Sequence, residues 1–189
     1  MSVTVLDPKT ALIVIDLQKG ILAYPLAHSA DDVLAKSVML ANEFRARKLP
    51  VVLVNVAGVA PGRNEQPPRS GDFPPGWADL ATELDTSPTD HKVTKKSWGA
   101  FTGTGLGDYL TGQGISQVVV CGIATSIGVE STARQAHELG FNVTLATDAM
   151  TDMSMDAHVN SVTRIFPRLG ETGTTDEILA CLEQEGGRK

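Results

Sequence analysis

The sequence predicts an α/β fold built on a mainly parallel sheet. Three observations lead there. Four short apolar runs, rich in valine and isoleucine, have the composition of strands buried on both faces. Segments with apolar residues at helical spacing stand between and after them. The two kinds of segment alternate along the chain, which is the pattern of β-α-β units joined by right-handed crossovers.

The elements follow in chain order. Residues 10–16 read TALIVID, a continuous apolar run that ends on an acid. Within 29–48, Val33, Leu34, Val38, Leu40, Ala41 and Phe44 recur at helical spacing. VVLVNV at 51–56 is a second strand. Residues 57–75 hold many of the prolines and glycines and show no apolar period. They are expected to form a long loop, either functional or mobile, or else a surface excursion or oligomer contact. HKVTKKS, starting at His91, is β-like and reads as an extra strand. QVVVC at 117–121 and NVTLAT at 142–147 are further strands. Residues 125–139 between them read as a helix closed by Gly140. A helix over 156–166 is expected to stop near Pro167. A last helix covers 174–183, where Thr174 and Glu177 stand at capping-box spacing. A single domain over 1–189 is expected, with a frayed tail at 185–189.

Composition narrows the function. The chain has 189 residues, of which 42% are hydrophobic. That length suffices to bury roughly 70% of the unfolded surface without covalent staples. The net charge of -6 argues against nucleic acid as the main partner. Small anions remain possible, since two lysines can hold them. No apolar run reaches the roughly 18–20 residues of a membrane span, and no signal peptide is evident. The two cysteines, Cys121 and Cys181, give neither a disulfide framework nor zinc-ligand spacing. A cytoplasmic protein is expected.

In open parallel sheets ligands bind beyond the carboxyl ends of the strands. Asp16 ends the first strand, Gly122 follows the QVVVC strand, and Lys95 and Lys96 lie in HKVTKKS. Singly, these are ordinary: a turn acid, a turn glycine, a solvated lysine pair. Together, a carboxylate and an ammonium meeting in one pocket make an acid–base pair.

Three stretches carry a resemblance: ALIVIDLQKG, KVTKKSWGAFTGTGL and VVVCGIATSIGVESTARQAHELGFNVTLATDAM. They resemble the signature regions of the isochorismatase-like hydrolases, a likeness running from about Thr10 to Leu179. It implies a three-layer αβα sandwich on a parallel six-stranded sheet. By motif the family's acid is Asp16 and its lysine Lys95, with Lys96 a neighbour. G-I-A-T implies a cis peptide bond at Ile123–Ala124 and an oxyanion hole of backbone amides. The family's nucleophilic cysteine would stand at position 128, where this chain has glycine. Cys121 is expected to be a buried small hydrophobe and Cys181 incidental.

The same resemblance implies the chemistry. Gly128 departs from the amidase branch, which works through a thiolate. His28, His91, His137 and His158 show no D-x-H cluster, so neither metal nor cofactor is expected. True isochorismatases resemble this chain in having a glycine there, although they often carry histidine at the place of Ser126. The expected function is hydrolysis of a small anionic metabolite by Asp16–Lys95 acid–base chemistry, with cleavage of a vinyl ether as the specific form. The alternative is a non-catalytic ligand-binding or scaffold member. Gln18, two residues past Asp16 and so on the same side of an extended strand end, is an expected substrate-binding residue, with Trp98, Phe101, Ala124, Thr125 and Gly128. A homo-oligomer acting on a small molecule, with no nucleic acid or membrane partner, completes the expectation.

Overall fold

The computed structural model describes residues 3–65 and 73–186. Six parallel strands form one sheet in the order β3-β2-β1-β4-β5-β6. They are β1 (Thr10–Ile15), β2 (Val51–Val56), β3 (His91–Lys95), β4 (Gln117–Ile123), β5 (Asn142–Thr151) and β6 (Glu171–Gly173). The helices are α1 (Lys19–Leu22), α2 (Ala30–Ala46), α3 (Leu106–Gly112), α4 (Glu130–Glu138), α5 (Met155–Asn160) and α6 (Thr175–Gly186). The expected α/β sandwich is therefore present, and its sheet is parallel throughout.

Every residue of β1 is buried, because both faces of the sheet are covered. Alternation then divides its side chains. Leu12 and Val14 pack with Phe44 of α2 and Ile178 of α6. Ala11, Ile13 and Ile15 pack with Leu110 of α3 and Ala133 of α4. Each fully buried leucine or isoleucine adds about 1.5–3 kcal/mol of transfer free energy. Ser29 caps α2 by accepting the Asp32 N–H at 3.2 Å, and Asp31 and Asp32 meet the positive helix end. At α6 the capping box closes reciprocally: the Thr174 N–H donates to Glu177 at 2.8 Å, and the Glu177 N–H to Thr174 at 3.3 Å.

Several boundaries differ from expectation. The helix expected over 125–139 opens as a π-turn, Thr125–Val129, before becoming α4. Gly140 closes it as anticipated, at φ 88°. The segment 156–166 divides into α5, a second π-turn (Ser161–Ile165) and a 3-10 turn (Phe166–Arg168). Both β4 and β5 run further than expected. Their register slips between Val120 and Gly122, so β5 carries surplus residues there. Short α3 and three-residue β6 were not anticipated. In the long loop, 66–72 lie outside the described residues, as does the tail 187–189. Among the described residues, no helix is long and apolar enough to cross a membrane.

Candidate active site

The carboxyl ends of β1, β3 and β4 converge on one cavity of about 390 Å³. Asp16 stands at its base. The Asp16 N–H still completes the ladder, donating to Val54 O at 2.9 Å. Its φ of 51° then leaves the strand conformation. That breaks the alternation and puts Asp16 on the cavity wall. Lys95, the last residue of β3, reaches past β2 to meet it. The lysine Nζ lies 2.7 Å from Asp16 Oδ2 and 3.2 Å from Ser97 O. Asp16 and Lys95 are 4% and 2% exposed, so the pair is withdrawn from water.

β4 supplies the third side. Gly122 has φ 114°, and a Cβ there would fall 2.0 Å from Ile15 O. Only glycine lets β4 lie this close to β1. The Ile123–Ala124 bond is cis, as the resemblance implied. Beyond it the π-turn presents Gly128, whose Cβ, if it had one, would lie 3.2 Å from Asp16 Oδ2. Position 128 therefore faces Asp16 directly.

The electrostatics of Asp16 follow from that enclosure. Burial raises its pKa from 3.8 to about 6, against the charge and hydrogen bond of Lys95, which lower it. Of the two competing effects, desolvation prevails. Oδ2 holds the lysine, while buried Oδ1 has no hydrogen-bond partner among the described residues.

Of the expected binding residues, Trp98, Ala124 and Gly128 line the cavity with Asp16 and Lys95. Gln18, Phe101 and Thr125 do not, and each has a structural occupation instead. Gln18 was expected on the Asp16 side of an extended strand, but the φ at Asp16 ends that strand. Its amide is wholly buried against Val56 and Trp77. Phe101 packs toward Phe141, with ring centres 6.1 Å apart, and its N–H donates to Gln135. Thr125 is buried with its Oγ1 2.8 Å from His158 Nδ1. Lys96 is exposed. Ser126 gives both its N–H and its Oγ–H to Asp152, at 2.7 and 2.8 Å, and so anchors the π-turn.

The cavity also has walls that sequence reasoning missed. Tyr24, Phe73, Trp77 and Met153 supply apolar surface, and Arg63 brings a cation. Phe73 and Trp77 stack at 4.0 Å. The available signal was the loop at 57–75 itself, which carries basic and aromatic residues between its prolines. None of the four histidines lines the cavity. His28 and His158 meet edge to face at 4.7 Å, His91 stacks on Tyr109, and His137 meets Leu169 O at 3.1 Å. Cys121 lies in the core between the sheet and α2, where burial pushes its thiol up to about 12. Cys181 is half-buried in α6.

Comparison with known proteins agrees with this geometry. The isochorismatase domain profile matches residues 10–177. An isochorismatase family protein of Bacillus subtilis, YwoC, is 42% identical over 178 residues, covering 90% of this chain and 93% of its own length. Streptothricin hydrolase of Streptomyces noursei is 32% identical over 145 residues, covering 75% of this chain and 54% of its own. The solved structure of an isochorismatase family protein from Burkholderia thailandensis has a TM-score of 0.92 and 44% identity, covering 96% of this chain and 100% of that one. With the profile match spanning most of its length and relatives this near, the chain belongs to the isochorismatase family of hydrolases.

Proposed function

We propose that this protein hydrolyses a small anionic metabolite by acid–base chemistry at Asp16, without a cysteine nucleophile, and that its reaction is the cleavage of a vinyl ether. The observation that carries this reading is the state of Asp16. Its carboxyl is buried, pushed up to about 6, and faces a glycine with one oxygen unpartnered. Such a group can hold a transferable proton near neutral pH.

Lys95 occupies Oδ2, so the proton belongs on Oδ1. In an enolpyruvyl ether, the carboxyl turns this proton toward the cavity and delivers it to the methylene carbon, which becomes a methyl group. The adjacent carbon becomes an oxocarbenium ion, and the Asp16 carboxylate left behind stabilises that charge with Lys95 close by. Water adds to the cation and gives up a proton, which restores acidic Asp16. The resulting hemiketal breaks its C–O bond to give pyruvate and an alcohol. A substrate carboxylate entering the cavity raises Asp16 further, which favours the protonated form. Arg63 on the wall is the cation that receives the substrate's carboxylate, alongside any share left to Lys95.

Two features support a mechanism without a thiol. Position 128 offers none, and a side chain there would crowd Ile15 Cγ2 at 2.9 Å. The Cys121 thiol is sealed in the core, with burial holding it protonated. The test is a panel of pyruvate enol ethers beside amides and esters of similar size, followed by pyruvate release. Enol-ether turnover is expected, and it should fall by roughly two to four powers of ten in Asp16→Asn. Amide turnover abolished by iodoacetamide would overturn the reading. Binding of panel members without turnover of any would mark a ligand-binding member instead.

A further inference from the structure

We infer that Gln18 is a positioning residue that fixes the Trp77 wall against the Asp16 base of the cavity, and so sets which ligands fit. The inference rests on the proposed site being where substrate binds.

β1 ends one residue before Asp16, yet β2 runs on to Val56. Val56 would have no ladder partner on its β1 side without Gln18. The Gln18 side-chain amide takes that place. Its Oε1 accepts the Val56 N–H at 2.7 Å, and its Nε2 donates to Val56 O at 3.1 Å. A side chain thus imitates one more peptide of β1 and frees Asp16 to turn into the cavity. The same Nε2 also donates to Trp77 O at 3.2 Å. One amide therefore joins the end of the sheet to the aromatic wall.

The backbone around it repeats the join. Ala81 N–H donates to Leu17 O, Lys19 N–H to Asp79 O and Gly20 N–H to Trp77 O, each at 2.9 Å. Trp77 itself closes over Gly20, where a Cβ would fall 2.1 Å from the indole. Two residues just after Asp16 hence hold Trp77: Gln18 by its amide, Gly20 by having no side chain. The wall and the acid are carried on one short segment. A ligand seated against Trp77 is thereby placed relative to the proton of Asp16.

The chain has two tryptophans, Trp77 and Trp98, so Trp98→Phe leaves Trp77 as the sole indole reporter. In that background Gln18→Glu keeps the acceptor for the Val56 N–H but loses both donated bonds. It is expected to raise acrylamide quenching of Trp77 about twofold. Gly20→Ala, which leaves the amide untouched, is expected to do the same by displacing the indole. The double variant should add little to the larger single effect, because both act on one wall. With an enol-ether substrate and Trp98 restored, both singles should raise KM about tenfold and change kcat less than about threefold. Should Gln18→Glu fail to fold, the uncharged Gln18→Met, which loses the same two donated bonds, carries both readouts. Unchanged Trp77 quenching in the folded variants would overturn the positioning role. Altered quenching without any KM effect would show that the wall does not face substrate, which overturns the specificity claim. Failure of wild type to turn over any enol ether, with quenching altered as expected, would count against the proposed reaction and leave the wall's anchoring by Gln18 intact.

Discussion

Among the described residues, two carboxylates have side chains buried in ion pairs, Asp90 and Asp16, and they are built to opposite ends. Asp90 meets Arg45 in a fork, with Nε to Oδ1 at 3.1 Å and Nη2 to Oδ2 at 2.8 Å. Ser87 N–H adds a third bond at 2.7 Å, and Arg45 also reaches Leu84 O and Asn42. Both carboxylate oxygens are satisfied. The pair ties α2 to the turn before β3. Asp16 is as deeply buried but has one ionic partner, one unpartnered oxygen and a raised pKa. A saturated pair has nothing left to give and serves as a fastener. An unsaturated one retains a site for a proton.

Exchanging the same substitution between the two sites gives the largest expected contrast. Asp16→Asn should cut turnover by roughly two to four powers of ten and leave the fold intact. Asparagine accepts the left-handed φ of position 16, so the loss reflects the proton rather than the backbone. Asp90→Asn should do the reverse. It breaks a buried pair and leaves Arg45 short of a partner, at a cost of about 3 kcal/mol. Turnover per folded molecule should stay within about twofold. Urea unfolding beside initial rates measures both. Equal loss of activity in the two variants would erase the distinction.

The pH dependence sharpens it. Unfolded Asp16 releases its proton near 3.8, whereas folded Asp16 keeps it up to about 6. Between those values the folded state binds more protons, so stability falls as pH rises. The contribution is fully present below about 3.8 and lost above about 6. Relative to Asp16→Asn, which does not titrate, wild type should lose about 2–3 kcal/mol between pH 4 and 7. Unfolding midpoints of the two proteins at both pH values check this. Turnover should fall on the same alkaline limb as the acid deprotonates.

The smallest expected effect is a null one. Under native conditions a thiol reagent should label Cys181 and spare Cys121, whose thiol is buried and pushed up to about 12. Activity should then be unchanged. Mass spectrometry of the labelled protein beside its rate decides it, and substrate-protected inactivation would return a thiol to the mechanism.

What the sequence made legible depends on how local each determinant is. β1, β2, β4 and β5 are written as apolar runs because both sheet faces are covered. Asp16, Lys95 and Gly128 come from motif spacing, and the structure brings all three together. β6 is Glu-Thr-Gly, with no apolar signal, and pairs only because β5 lies beside it. The extension of β5 hides behind Asp148, an acid in a strand, whose partners Lys36 and Thr175 come from α2 and α6. Gln18 was misplaced because strand alternation was extended through a residue whose φ breaks it. The aromatic wall and Arg63 were missed because an aperiodic loop gives no hint of which way it folds back.

Gly122 carries a consequence for how such a site can change over generations. Every missense mutation of its codon adds a β-carbon, and that carbon would overlap the Ile15 carbonyl at 2.0 Å. The same mutation would place an L side chain at φ 114°. The close approach of β4 to β1 beside Asp16 is therefore closed to single-step variation. New substrate ranges are reached through wall segments that surround it, such as 57–65, rather than through the strand beside the acid.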